Sequence, residues 1–397
     1  MINNIENYFN SFDFDIRKTH SNRFMDQKVT PDVLCMVADC VHEYLDTHEH
    51  ATREFTSKDI WHFEYSNKNV KDVFGKPDVL DKNAISEYNK FFHQPLKMLS
   101  YAQVLTENKK NGKGNTLYFT LKNKDLLEYL SIKEKNCLDF INIYLEKILR
   151  DSNVWYLFQD FFIVNTNDKF YTLKNKYIEF IQNNTATNDK KDISRIFTKV
   201  INPLSFKRKK HGTKGGYFSK DIIGRDELMY NRRNWRDIKK KREETREEYE
   251  LRAKKEVEYR KKAYVKYTLN KATNIVRKLH TPISEVDDNL AVGEATQVHH
   301  IFMKSQYPQI ESYIENLILL TATQHNTKAH PSNNTRIIDK EYQLICLLAK
   351  SKTIEKHIHI YSKEDFLYVI KIGLGHEFEN DIKFKQLQSK LIELYND

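Results

Sequence analysis

Apolar residues recur at helical spacing through most of the first 200 positions and at strand spacing in only a few short stretches, which predicts a mostly helical α+β chain. From Pro31, "PDVLCMVADCVHEYL" sets Val33, Leu34, Met36, Val37, Cys40, Val41 and Leu45 on one broad face, with Pro31 in the favoured first turn of a helix. "FTSKDIWHF" predicts a short second helix capped by Thr56 or Ser57. "NAISEYNKFFHQPLKMLSYAQVL" predicts a third, kinked or restarted at Pro95. In "TENKKNGKGNTLYFTL", Asn111, Gly112 and Gly114 separate two β-prone arms, so a hairpin is expected with Lys109, Lys110 and Lys113 at its tip.

Helix, short helix, longer helix and basic hairpin together resemble the winged-helix variant of the helix-turn-helix, over roughly residues 28–130. That resemblance implies a DNA-recognition domain at 1–130 whose third helix docks in the major groove. The plainer alternative is a small helical domain whose hairpin lysines solvate a turn. Residues 131–235 read as a helical extension that ends in a basic loop. Within "NPLSFKRKKHGTKGGYFSKD", Lys207, Arg208, Lys209, Lys210, Lys214 and Lys220 surround glycines that let a backbone approach phosphates closely. Residues 236–280 are rich in helix formers, free of Gly and Pro, and mixed in charge, which predicts a long solvated connecting helix. A C-terminal unit, 281–397, completes the chain.

Composition changes this picture little. The formal charge is +10, but acidic residues are plentiful too, so the excess matters only where it is concentrated. Cys35, Cys40, Cys137 and Cys346 form no CxxC pair and no disulfide framework. No apolar run approaches the ~18 residues of a membrane span, and the N-terminus lacks a basic start followed by an apolar core. The expectation is a cytoplasmic protein with no membrane partner.

The chemistry concentrates in "TQVHHIFMKSQYPQIESYIENLILLTATQHNTKAH". His299 and His300 lie on a β-prone segment, Asn316 opens a second strand "NLILL", and Thr323 can cap a helix that Pro331 ends. Strand, loop, strand, helix is the expected order. Neighbouring strand residues point to opposite sides, so the two histidines cannot easily share one task. One can face the helix and hold a metal while the other faces an incoming water, and a neutral imidazole with pKa ~6.5 is a suitable base near neutral pH.

This segment resembles the HNH nucleases, whose active site is a ββα-metal motif. His300 matches the first histidine of that name, Asn316 the asparagine and His325 the second histidine, while His299 stands where the family carries a metal ligand. The resemblance implies His300 as general base, Asn316 as the residue that hydrogen-bonds His300 or tethers its loop, and His299 and His325 as ligands. In histidine-rich members the last ligand lies four residues after the helix histidine. Here that position is Ala329, and the histidine is His330. Positions i and i+5 of a regular helix are about 140° apart, a poor bite for one ion. His330 could swing inward where Pro331 ends the helix, or it could contact phosphate instead. Many family members carry zinc-knuckle cysteines at the places of Thr321 and Gln324, so no structural zinc is expected, and Ile301, Phe302, Leu317, Leu319 and "YQLICLLAK" must pack the motif together. A purely structural zinc site is the rival account of the histidines, but it leaves Asn316 without a role.

The layout, with "HHIF", "NLILLT" and "TQHNTKAHP", looks like bacterial type II restriction endonucleases of the HNH class. That implies double-stranded DNA as substrate, a divalent ion (Mg²⁺ first, Mn²⁺ second), 5′-phosphate products, and a cognate DNA methyltransferase as genetic partner. Cutting both strands requires a homodimer or sequential nicking. Two other classes stay open: a defence or toxin nuclease of broad DNA or RNA specificity, and a winged-helix regulator whose C-terminal unit does not cut.

Overall fold

The computed structural model describes residues 2–48, 54–82, 84–110, 115–230, 240–331 and 338–396, which fall into two compact units, Met1–Arg260 and Lys261–Asp397. The chain is α+β and mostly helical, with small antiparallel sheets. Among the described residues, no helix is long and apolar enough to cross a membrane.

In the first unit, α1 (Ile2–Asn10) and α2 (Ile16–Thr19) precede α3 (Pro31–Thr47), whose residues from Pro31 to Val41 are all buried. Next come β1 (Glu54–Thr56), α4 (Ser57–His62), α5 (Glu64–Phe74), α6 (Ile85–Tyr101), β2 (Leu105–Lys109) and β3 (Leu117–Leu121). The strands form one antiparallel sheet in the order β1-β3-β2, with Phe55 opposite Phe119. The cap of α4 is Thr56: its hydroxyl accepts from Asp59 N at 3.2 Å while the Asp59 carboxylate accepts from Thr56 N at 2.7 Å. Two elements, β1 and α5, are additions to the expected order. Pro95 does not restart the third helix; it lies inside an unbroken α6 whose neighbours Phe91, Phe92, Leu96 and Leu99 are fully buried. Core packing on that face compensates the hydrogen bond a proline removes. Of the tip lysines, Lys109 ends β2 and Lys110 pairs with Glu54, while Lys113 lies with residues 111–114 outside the described residues.

A half-buried clasp fixes the start of α6. Glu87 accepts from Lys28 at 2.9 Å and Lys76 at 2.8 Å, and both lysines also donate to the Tyr230 hydroxyl, at 2.7 and 2.6 Å. Burial raises the Glu87 pKa, but the two ammonium groups outweigh it and hold the carboxyl at about 2.

Helices α7 (Lys124–Ile132), α8 (Glu134–Asp151), α9 (Trp155–Ile163), α10 (Asn167–Asn184) and α11 (Lys190–Lys207) supply the expected helical extension. The basic segment after them is not a loop. It folds as a two-stranded antiparallel ribbon, β4 (His211–Lys214) and β5 (Tyr217–Ile222), because Gly215 and Gly216, with φ of 63° and 90°, make the tight turn that β-prone arms need. The long charged helix, α12, runs Arg246–His280 rather than from 236. Thr245 starts it, accepting from Glu248 N at 3.2 Å while Glu248 accepts from Thr245 N at 2.9 Å, and the preceding Glu244 folds back onto Arg252 at 2.7 Å. The division between the two units falls inside α12, after Arg260.

The second unit holds β6 (Ala295–His300) and β7 (Leu317–Thr321), an antiparallel pair, followed by the short α13 (Ala322–Gln324). Every residue of β7 is buried. Helices α14 (Lys340–Lys356), α15 (Lys363–Leu374) and α16 (Phe384–Asn396) complete this unit and supply much of its core, including Leu347, Ile354, Phe366, Ile370 and Leu387.

Candidate metal centre

The two histidines end β6, with His299 opposite Ile318 and His300 opposite Leu317. Strand alternation separates them: His299 is 5 % exposed, whereas His300 remains half-buried. Behind the pair, Asn316 closes a 3₁₀ turn and the second strand begins at Leu317, one residue later than the pattern predicts.

The helix that follows is capped by Thr321, not Thr323. Thr321 Oγ1 accepts from Gln324 N at 3.2 Å and Gln324 Oε1 accepts from Thr321 N at 3.0 Å, a reciprocal pair that needs the Thr-x-x-Gln spacing. After one α-helical turn the backbone widens into a π-helical turn, His325–Ala329, in which His330 N donates to His325 O at 2.9 Å. A turn closed one residue later places residue i+5 over residue i, the place that i+4 takes on an α-helix. The awkward spacing of His325 and His330 is thereby resolved, and His330 lies buried just before Pro331.

The result is a cluster of three imidazoles. One nitrogen from each of His299, His325 and His330 lies within 4.8 Å of the other two. Ring centroids are 5.4 Å apart for His299 and His325, 4.8 Å for His299 and His330, and 4.9 Å for His325 and His330, and the rings meet at 75–80° instead of stacking. His325 Nδ1 pairs with Asn326 Oδ1 at 3.0 Å, which leaves Nε2 with its lone pair. Burial, with the neighbouring His330, His325 and His300, pushes His299 well below the ordinary imidazole range, so its ring is neutral and able to donate a lone pair. A divalent ion held about 2.1 Å from each nitrogen would draw the three imidazoles closer together. The donor set fits a borderline transition ion such as Zn²⁺ or Ni²⁺ better than Mg²⁺, which prefers oxygen.

His300 points away from this cluster's ligands and is held by a different contact. Its Nε2–H donates to the Glu311 carbonyl at 3.0 Å, so Nδ1 carries the lone pair. Burial, helped by the charge of Lys304, lowers the His300 pKa against the opposing effect of Glu311. Among the described residues the Asn316 side chain hydrogen-bonds the loop and not His300. Fully buried, its amide spans the loop: Oδ1 accepts from Phe302 N at 2.9 Å, and Nδ2 donates to Phe302 O at 3.0 Å and Ile310 O at 3.3 Å. Of the two roles expected for Asn316, tethering the loop is the one present.

Several supports were invisible to motif reading. Gln324, at a knuckle-cysteine place, cross-links the segment before β6: it accepts from Ser284 Oγ at 2.6 Å and donates to Val286 O and Asp288 Oδ1, both at 2.9 Å. Thr321 Oγ1 donates to Leu290 O at 3.0 Å. Gln343 of α14 donates to Ile301 O at 2.7 Å. Gly373 of α15 leaves no room for a Cβ, which would come within 2.4 Å of the Phe302 ring. A lone glycine inside an apolar helix was the one hint of that close packing.

Comparison of the chain with family models, with curated proteins and with solved structures finds no match in any of the three.

Proposed function

We propose that the second unit is a metal-dependent phosphodiesterase of the HNH type and that the whole chain is a sequence-specific double-stranded DNA endonuclease. The observation that carries this reading is the division of labour between adjacent histidines: His299 joins His325 and His330 in a three-nitrogen cluster, while His300, oriented by the Glu311 carbonyl, keeps Nδ1 for a proton. The chemistry an ion supplies when bound at the three imidazoles is neutralisation of charge on a phosphate oxygen. His300 Nδ1 accepts the proton of the attacking water, and the Glu311 carbonyl stabilises the imidazolium through Nε2–H. Asn316 sets the position of the loop from which that carbonyl projects, through Phe302 and Ile310.

The donor set places Zn²⁺ or Ni²⁺ ahead of the Mg²⁺ that the family resemblance implies, with Mn²⁺ between them. DNA as substrate is supported by the first unit, in which α3, β1, α4, α6 and a β2–β3 hairpin follow a winged-helix order apart from the additional helix α5 between α4 and α6, with sheet order β1-β3-β2. On that reading α6 is the groove helix, and it exposes Ser86, Asn89 and Lys90 near its start.

Plasmid DNA digested with Zn²⁺, Ni²⁺, Mn²⁺ or Mg²⁺ in turn is expected to give discrete fragments with 5′-phosphate ends, and His300→Ala to abolish cutting while duplex binding persists. A smear would favour a nuclease of broad specificity. Binding without cutting by the unaltered protein under every ion would leave only a DNA-binding regulator.

A further inference from the structure

The β4–β5 ribbon has no task in the reading above, yet the chain invests heavily in it. Residues 207–222 carry six Lys or Arg against one Asp, a net of +5, half of the +10 of all 397 residues. Two of these cations are spent on the fold: Arg208 pairs with Glu146 at 2.6 Å and lies over the Trp155 and Phe162 rings, and Lys207 reaches Glu146 at 3.4 Å. Lys214 meets Glu227 at 3.5 Å. Lys209, Lys210 and Lys220 have no carboxylate partner among the described residues, and Lys209 and Lys220 are exposed.

A two-stranded ribbon is marginal on its own, and its free edge invites unwanted pairing. Here side-chain amides cover that edge. Asn202 accepts from Thr213 N at 2.9 Å and donates to Thr213 O at 3.0 Å, as a third strand would. Asn165 accepts from His211 N at 2.8 Å, and Ser205 donates to His211 O at 3.0 Å. Gly212 is required at this seat, since a Cβ would lie 2.6 Å from Asn202 Oδ1. Lys174 braces the turn by donating to Gly216 O at 2.7 Å. The base is therefore rigid, while a Cβ at Gly215 would meet nothing within 4 Å, and Tyr217 beside the tip is 68 % exposed.

A stiff ribbon with unpaired cations, a bare glycine tip and one exposed aromatic ring matches the dimensions and charge of a duplex groove, which admits a two-stranded β-ribbon. We propose that the β4–β5 ribbon is a DNA-gripping element separate from α6 and its hairpin, with Lys209, Lys210, Lys214 and Lys220 on phosphates and the Gly215–Gly216 tip against the groove. This rests on the reading of the chain as a DNA-acting protein.

The test is binding of a fluorescent DNA duplex of about 30 base pairs, without divalent ions, across a salt series, using the full chain and a Lys209→Gln, Lys210→Gln, Lys214→Gln, Lys220→Gln variant. Each lost phosphate contact lowers the slope of log K against log salt by about 0.9, so a drop of about 3.6 units is expected for the four lysines, with at least a tenfold loss of affinity at low salt. A Tyr217→Ala variant, which leaves the charge intact, is expected to weaken binding without changing the slope. Thermal melting and the Zn²⁺-induced stabilisation of the three-histidine cluster check that the quadruple variant is folded. If that variant matches the unaltered protein in slope and affinity, the ribbon proposal is overturned while the nuclease reading stands. If the unaltered protein prefers an RNA duplex, DNA as the ribbon's partner is overturned. If it binds no duplex at all, ribbon proposal and DNA reading fall together.

Discussion

Two buried polar clusters lie in the second unit, and they are built on opposite terms. Around Glu285 every charge is answered locally. Lys350 Nζ, fully buried, sits 2.9 and 2.7 Å from the two carboxylate oxygens, Leu319 N of β7 donates to the same group at 2.9 Å, and the Tyr361 hydroxyl lies within 3.2 Å of Lys350 and 3.0 Å of His280. The three-histidine cluster instead gathers donors of one kind, with no carboxylate among them. A self-balanced cluster locks segments together, here the end of α12, β7 and α14. A cluster of three imidazoles with no carboxylate is suited to the ion proposed above.

The sharpest way to break this contrast is to remove one partner from each cluster. Lys350→Met leaves the Glu285 carboxylate buried and uncompensated, and is expected to cost about 3–5 kcal/mol in urea unfolding, most of it restored when Glu285→Leu is added. A single-variant cost below about 1 kcal/mol would show that the pair is not the lock described. His299→Ala is expected to behave differently. Its stability without metal should fall much less than for Lys350→Met, but the gain of about 2.7 kcal/mol that the unaltered protein shows at a Zn²⁺ concentration a hundredfold above Kd should vanish. Retention of that gain would sever His299 from the metal role.

The smallest effect concerns pH. Burial drives His280 down to about 4, against the pull of Glu285 and with help from Lys350 and His357. The unfolded chain, with an ordinary pKa near 6.5, binds more protons than the folded one between these values, so stability is full above about pH 6.5 and declines as pH falls toward 4. His280→Gln should flatten the slope of unfolding free energy against pH over this window. An unchanged slope would assign the acid sensitivity to other groups.

How much of this was legible in the sequence follows from how local each cause is. His299, His300 and His325 could be placed because strand alternation and a short turn relate them within thirty residues. The sequence locates His330 but not its geometry, since nothing in "HNTKAH" announces a widened turn. Thr321 is the cap and not Thr323, because the Thr-x-x-Gln spacing from Thr321 is the one that closes a reciprocal pair. The Glu285–Lys350 pair escaped altogether: Glu285 reads as a loop acid in "ISEVDDN" and Lys350 as the wet end of "YQLICLLAK", and their partnership spans 65 positions. β1 is three residues long, too short for alternation to register. The basic segment reads as a loop from its charge and glycines, yet Gly215 and Gly216 supply the tight turn that joins its two strands.

The π-turn carries a consequence for how such sites are found. Excising one residue between His325 and His330 would return the backbone to ordinary helical pitch and put the two rings at the same bite, so two different intervals encode one constellation. A search pattern written with a fixed count between those histidines treats the longer version as a broken copy. The ring positions, and not the tally of letters separating them, are what such a pattern has to describe.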